Sequence, residues 1–213
     1  MNEKLTRYIN YIVTHYLRND AGILWVQNAL RGNAGAWLLA VRGYVRAMGT
    51  GDAGYLAFRQ RWAWSDERVR RVLDSDEGNL YVQRIEDIKT EFNQLPSMTG
   101  YTLDTGSLRR SLDTQTRYFR NNWSVALLGA DLLGRMEAEV GGTNYPDIPI
   151  TESAGRLRRF LRTVALDAVD NPATETVERV RSPTNATPGL SDHGRLSAVD
   201  FIVNRGRNVV AGA

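Results

Sequence analysis

The sequence contains no cysteine, and only two of its 213 residues are histidine. The lack of cysteine excludes disulfide bridges, thiolate catalysis and zinc sites with sulfur ligands. Any metal ion would have to be held by carboxylates together with His15 or His193.

The sequence also lacks an apolar run of about eighteen residues, the length that a membrane-spanning helix needs. Its first residues, Met1–Leu5, lack the basic region and following apolar stretch that are typical of a signal peptide. We therefore expect no membrane span and a cytoplasmic location by default, or export by a route that needs no signal peptide.

Lysine is scarce, since Lys4 and Lys89 are the only two, and arginine supplies nearly all of the positive charge. The net charge of +3 gives a mildly basic protein with a pI near 9.3. Such a composition is found in nucleic-acid-binding proteins. Acidic residues are nevertheless spread along the whole chain, so we favour other partners and keep nucleic-acid binding as a third hypothesis.

Apolar residues recur at three- and four-residue spacing through the first two thirds of the chain, which predicts amphipathic helices. Asp20 and Ser65 stand where the N-cap of a helix is expected. Residues 96–106 have the composition of a loop, and one helical stretch is predicted from Leu108 to Val140. The two clearest apolar stripes are Leu5, Ile9, Ile12, Val13 and Tyr16, and Trp37, Val41, Tyr44, Val45 and Met48.

The pattern changes after Gly141 and Gly142, where prolines and β-branched residues become more frequent. The sequence then predicts an extended segment at Tyr145–Ile150, a helix at Arg156–Leu166, a short strand at Val177–Arg181, a strand at Ser197–Val203, a turn at Arg205–Arg207 and a second strand at Asn208–Ala211 that pairs back on the first. The predicted fold class is α+β. A mostly helical region covers residues 1–140, and a small C-terminal domain with a short antiparallel sheet covers residues 141–213.

Gly49, Gly51 and Gly54 match a dinucleotide-binding glycine pattern as a string of letters. That mechanism requires a strand before the glycines, whereas here a helical pattern precedes them. We therefore predict a turn between two helices.

Two other groups of residues have a functional and a structural interpretation. The aromatic cluster Tyr55, Phe58, Trp62 and Trp64 could stack on bases or sugar rings, but its helical spacing is more typical of a core. Glu137 and Glu139 could suggest a muramidase acid, but residues two apart on a helix point to different faces. We favour the structural interpretation for both groups.

Ser191, His193, Ala198 and Asp200 have a spacing that suggests a metal site. His193 is predicted in a loop and Asp200 on the following strand, so the six intervening residues let both side chains meet one ion. The segment resembles the Ser-x-His-x-x-Gly-x-Ala-x-Asp pattern of the zinc peptidase family that contains D-alanyl-D-alanine carboxypeptidases and L-alanyl-D-glutamate endopeptidases. Leu196 stands where that pattern has glycine, and Gly194 lies two residues earlier.

The resemblance implies that His193 and Asp200 hold Zn²⁺. Ser191 and Arg195 are the residues expected to contact substrate; Arg195 could hold a substrate carboxylate, although an exposed loop arginine is the commoner interpretation. The resemblance also implies a third ligand, a histidine in a Trp-His element, preceded by an acidic general base. No histidine follows His193, so we expect the general base and third ligand to lie outside these residues. Either the domain is incomplete at its C-terminus, or the site is degenerate; a third ligand from His15 is the least favoured option, because it lies near an apolar stripe.

The function that this resemblance implies is zinc-dependent hydrolysis of peptidoglycan peptides, by a bacterial cell-wall enzyme or a phage endolysin. The lack of a signal peptide slightly favours the phage setting. The alternative is a non-enzymatic virion, tail or assembly protein, in which the helical region contacts protein partners and the peptidase-like domain is degenerate.

Overall fold

The structure, a computed structural model, describes residues 1–48, 51–141 and 183–212. The helices among these residues are α1 (Glu3–Tyr11), which continues into a π-helical turn (Ile12–Tyr16), α2 (Ala21–Ala29), α3 (Ala34–Ala47), α4 (Gly51–Arg61), α5 (Asp66–Leu73), α6 (Asp76–Gln94), α7 (Leu112–Asn121) and α8 (Trp123–Gly141). The strands are β1 (Tyr101–Ser107), β2 (Asp200–Arg205) and β3 (Asn208–Gly212), and short 3-10 turns form at Pro96–Met98 and Asp192–Arg195.

The three strands form an antiparallel sheet in the order β1-β2-β3. Together with the helices that precede it, this sheet confirms the predicted α+β class with a helical N-terminal region. In the part of the chain that is described, no helix is long and apolar enough to cross a membrane.

The chain divides into two compact units, and each unit combines two separate stretches of sequence. Unit 1 contains residues 1–61 and 114–189, and unit 2 contains residues 62–113 and 190–213. The domain boundary expected between residues 140 and 141 borders a stretch that is not described, so it stays a prediction. The elements expected at Tyr145–Ile150, Arg156–Leu166 and Val177–Arg181 also lie outside the described residues.

The core of unit 1 is built around the packing of α3 against α8. A Cβ atom placed on Gly35 would lie 2.6 Å from the carbonyl carbon of Gly129, and one placed on Gly129 would lie 2.7 Å from that of Gly35. Only glycine therefore lets these two helix backbones approach so closely. Both predicted apolar stripes contribute to the buried residues, which include Leu5, Ile9, Ile12, Val13, Trp37, Val41, Tyr44, Val45 and Met48.

Asp20 caps α2, as predicted. Its Oδ1 accepts hydrogen bonds from the backbone N–H groups of Gly22 (2.9 Å) and Ile23 (3.3 Å). Its Oδ2 accepts a hydrogen bond of 2.9 Å from the hydroxyl of Tyr55 and lies 3.1 Å from Nη1 of Arg59. A carboxylate that is only 6% exposed is thus surrounded by donors, which offset the cost of burying its charge.

The helical pattern predicted from about Leu108 to Val140 is confirmed over most of its length, but not as one continuous helix. The chain forms α7 and α8 instead, and Asn122 separates them. Its Oδ1 accepts hydrogen bonds from the backbone N–H groups of Ser124 (2.8 Å) and Val125 (3.3 Å), so it caps the start of α8. Asparagine is one of the preferred capping residues, and the apolar periodicity on either side had obscured this one.

The prediction of a loop over residues 96–106 is wrong, because β1 occupies Tyr101–Ser107. This strand pairs with β2 from Tyr101 opposite Arg205 to Ser107 opposite Asp200, with an irregularity at Gly106. The predicted strand at Ser197–Val203 begins later, at Asp200. The turn at Gly206 and the pairing of β3 with β2 are confirmed.

Candidate metal centre

His193 lies in the 3-10 turn Asp192–Arg195 of unit 2, and four residues separate this turn from the start of β2 at Asp200. The backbone hydrogen bonds that close the turn include those from Gly194 N–H to the Ser191 carbonyl (2.9 Å) and from Ser197 N–H to the Asp192 carbonyl (3.0 Å), and Leu196 N–H also donates to the Asp192 carbonyl. These bonds fold the chain back on itself, so that His193 approaches the beginning of the strand that carries Asp200.

Two distant segments of unit 2 hold this turn in place. The backbone N–H of Trp64 donates to the carbonyl of Gly194 (2.8 Å), and the backbone N–H of Arg110 donates to the carbonyl of His193 (3.3 Å). Arg68 also lies over the Trp64 ring, with its guanidinium carbon 4.3 Å from the ring centre. The carbonyl groups of His193 and Gly194 are therefore each held by a hydrogen bond from a different segment of unit 2.

Leu196 adopts the left-handed backbone conformation, with φ of 58° and ψ of 26°. This conformation costs a non-glycine residue about 1–2 kcal/mol and is adopted freely by glycine. Leu196 stands where the zinc peptidase pattern has glycine, so the backbone at this position has the conformation for which a glycine is suited. Its side chain is only 8% exposed, and this burial offsets the backbone cost.

The side chains of His193 and Asp200 meet. The Nε2 atom of His193 lies 3.1 Å from Oδ1 of Asp200, and the two side chains are 13% and 11% exposed. The other carboxylate oxygen, Oδ2, accepts a hydrogen bond from Nη2 of Arg110. Asp200 is thus held between an imidazole and a guanidinium in a largely buried position.

This pair can be compared with the geometry that Zn²⁺ requires. Histidine nitrogen and carboxylate oxygen bind zinc at about 2.0–2.2 Å, which at a tetrahedral centre places two ligand atoms about 3.3–3.6 Å apart. The separation of 3.1 Å between His193 Nε2 and Asp200 Oδ1 is that of a direct ion pair and is slightly shorter than this range. Nitrogen and carboxylate donors are also ligand types that zinc prefers, so these two residues fit half of a zinc site.

The remaining ligands are not found in the described part of the chain, where no three histidine and acidic side chains are grouped to hold a metal ion. His15 belongs to unit 1, where it is exposed and its ring centre lies 4.3 Å from that of Tyr11. The Nδ1 atom of His193 is buried and has no hydrogen-bond partner among the described residues. Ligating histidines usually donate this second N–H to an acceptor, so this support is also missing there.

The two residues expected to contact substrate lie on either side of His193. Ser191 is 9% exposed, and its carbonyl takes part in closing the turn. Nη2 of Arg195 donates to Oδ1 of Asp192 at 2.7 Å, with 23% of the arginine side chain exposed. Arg195 therefore already has a carboxylate partner within its own turn.

Other sequence candidates have structural roles. Gly51 and Gly54 lie in the first turns of α4, which is preceded by α3 rather than by a strand, and Gly49 lies outside the described residues. Phe58 and Trp62 are 0% and 7% exposed, as expected of core residues. Glu137 Oε1 accepts a hydrogen bond of 2.6 Å from the backbone N–H of Asn2.

Arg110 is the residue of this site that the sequence did not reveal. It lies 90 residues before Asp200 in the chain, in a segment predicted to be helical. A correct prediction of β1 would have helped, because a strand that pairs with β2 brings the residues after its end close to Asp200. The alternation of Tyr101, Leu103 and Thr105 with polar residues was the available signal.

Comparisons with protein-family models, curated proteins and solved structures find no significant match to this chain.

Proposed function

We propose that this protein is a zinc-dependent peptidase that hydrolyses peptide bonds of bacterial peptidoglycan, in a bacterial or phage setting. The observation that supports the proposal most directly is the approach of His193 Nε2 to Asp200 Oδ1 at 3.1 Å. These are the two residues that the resemblance to zinc peptidases assigned as ligands, and they lie seven positions apart in the chain.

The backbone at Leu196 supports the same alignment independently of the side chains. Leu196 is the C-cap of the 3-10 turn, where a left-handed residue is common, and the glycine of the pattern would adopt this conformation without strain. Leucine enters this conformation at a cost, so the fold of the loop, rather than the preference of the residue, sets φ at 58°.

When bound, Zn²⁺ supplies Lewis acidity, which lowers the pKa of a coordinated water and polarises a carbonyl group. The residues of this chain that would hold it are His193 and Asp200. Arg195 would recognise a carboxylate of the substrate by exchanging its bond with Asp192 for one with the peptide. A third ligand and a general base are required in addition to these residues.

The test is metal binding by the purified chain. The protein is treated with chelator and titrated with ZnCl₂, and binding is followed by competition with a chromophoric chelator. Because the described residues supply only two ligands, we expect weak binding of about one zinc per chain, its loss in His193→Ala and in Asp200→Ala, and its retention in His15→Ala.

Two outcomes would contradict the proposal. Wild-type protein without zinc would favour the alternative of a non-enzymatic virion or assembly protein with a degenerate site. Equal zinc content in His193→Ala and wild type would place the metal elsewhere. Release of new amino groups from purified peptidoglycan by zinc-loaded protein would extend the test to the reaction itself.

A further inference from the structure

We infer that Arg110 is a positioning residue, which fixes the Asp200 carboxylate so that one oxygen faces His193 and only that oxygen is available to a metal ion. This inference rests on the proposed zinc site for its functional meaning. The contact between Arg110 and Asp200 exists without metal, so it can be tested even if zinc does not bind.

The backbone N–H and the side chain of Arg110 each donate a hydrogen bond within this site. Its backbone N–H donates to the His193 carbonyl at 3.3 Å, and its Nη2 donates to Oδ2 of Asp200. One residue therefore contacts the backbone of one expected ligand and the side chain of the other. A displacement of Arg110 would disturb both ligands together.

The hydrogen bond from Arg110 restricts rotation of the Asp200 carboxylate. Asp200 is the first residue of β2, so its backbone is fixed by pairing with Ser107. Its side chain could still turn and present either oxygen, or both, to His193. The hydrogen bond from Arg110 removes this freedom, because a planar guanidinium donates in fixed directions. Oδ1 is then left facing Nε2 of His193 at 3.1 Å.

Arg110 would affect metal affinity in two opposite ways, through the orientation of Asp200 and through its own positive charge. A guanidinium close to a metal site repels the cation, whereas outer-sphere partners that orient a ligand typically improve metal affinity by about 10–100-fold. Arg110→Lys separates the two effects, since lysine keeps the positive charge and loses the fixed donor geometry.

Arg109 provides a matched control. It is the neighbouring arginine with nearly the same exposure, 25% against 27%, but its guanidinium pairs with Asp66. Substitution at Arg109 therefore changes an ion pair of unit 2 without touching Asp200.

The first measurement is zinc affinity, determined by competition with a chromophoric chelator. We expect Arg110→Lys to bind zinc at least about tenfold more weakly than wild type. Arg109→Lys should remain within about twofold, because Asp200 keeps its partner. Wild-type or tighter zinc binding by Arg110→Lys would overturn the inference.

The second measurement uses metal-free protein in chelator and follows urea unfolding. Arg110→Gln and Asp200→Asn should each lower the unfolding midpoint, and the double variant should lose no more than the more damaging single variant, because both remove one contact. Arg109→Gln combined with Asp200→Asn should give additive losses. Additive losses for Arg110→Gln and Asp200→Asn would overturn the inference, whether or not wild-type protein binds zinc. Absence of zinc in wild-type protein, by contrast, would contradict the proposed function alone.

Discussion

The core of unit 1 and the His193 turn of unit 2 are each stabilised by a different kind of interaction. In unit 1, α3 and α8 meet backbone to backbone at Gly35 and Gly129, and apolar side chains fill the space around them. In unit 2, the turn that carries His193 is fixed by hydrogen bonds from Trp64 and Arg110 and by the ion pair at Asp200. Close packing of backbones and apolar side chains therefore stabilises the core of unit 1, whereas hydrogen bonds and an ion pair stabilise the His193 turn.

The largest expected effect breaks the close packing in unit 1. Gly129→Val would place a side chain 2.7 Å from the backbone of Gly35, which cannot withdraw without moving α3. We expect a loss of about 3 kcal/mol or more in the free energy of unfolding, measured by urea denaturation.

Gly134 on the same helix is the control for this substitution. Among the described residues, nothing outside its own stretch of α8 lies within 4 Å of a Cβ placed on it, so Gly134→Ala should stabilise the protein by about 0.5–1 kcal/mol through helix propensity. Equal stability of the Gly129→Val variant and wild type would show that the helices do not depend on this contact.

A smaller effect tests whether a polar group matters inside the apolar core. The hydroxyl of the buried Tyr44 donates a hydrogen bond of 2.9 Å to the carbonyl of Pro188, within unit 1. Tyr44→Phe should cost about 1 kcal/mol at neutral pH, because this acceptor loses its donor. Tyr118→Phe, which changes an exposed ring, should stay within about 0.5 kcal/mol of wild type.

The same substitution should change the response to alkaline pH. Burial raises the pKa of Tyr44 well above its ordinary value of 10.0, and the charge of Asp20 raises it further. The folded protein therefore keeps a proton that the unfolded chain releases above about pH 10, so this stability is full below that pH and is lost as the pH rises. The free energy of unfolding of Tyr44→Phe should therefore decline less steeply than that of wild type between about pH 9 and pH 11. An unchanged slope would contradict burial of the hydroxyl.

The smallest expected effect concerns the backbone of the His193 turn. Replacing Leu196 by alanine or by glycine removes the same buried side chain to nearly the same extent, but only glycine relieves the left-handed conformation. Leu196→Gly should therefore be more stable than Leu196→Ala by about 0.5–1 kcal/mol, measured by thermal or urea unfolding. In a helix or strand glycine is the less stable of the two, so the opposite order would contradict the left-handed conformation at Leu196.

The sequence was sufficient for the features that depend on local pattern. Periodicity located the apolar stripe of α3, and capping preferences located Asp20 and Ser65, because a capping side chain bonds to backbone groups two or three residues away. It also placed His193 and Asp200 together, since only six residues separate them. It missed β1 and Arg110, because their partners lie about a hundred residues later and a strand with Gly106 and Asp104 has weak local preference.

Because β1 pairs with β2, the sheet can form only after both strands have been synthesised. Asn204 and its partner Asp104 are 100 residues apart in the chain, and Arg110 precedes Asp200 by 90. During synthesis from the N-terminus, β1 and Arg110 leave the ribosome long before the strand and carboxylate that complete them, and closing so long a loop slows folding. The helices of residues 1–47 can form their intrahelical hydrogen bonds in the meantime, whereas the His193 turn can acquire its final geometry only after β2 has been made. Any ligand of this turn is thus recognised only after β2 has been synthesised and paired.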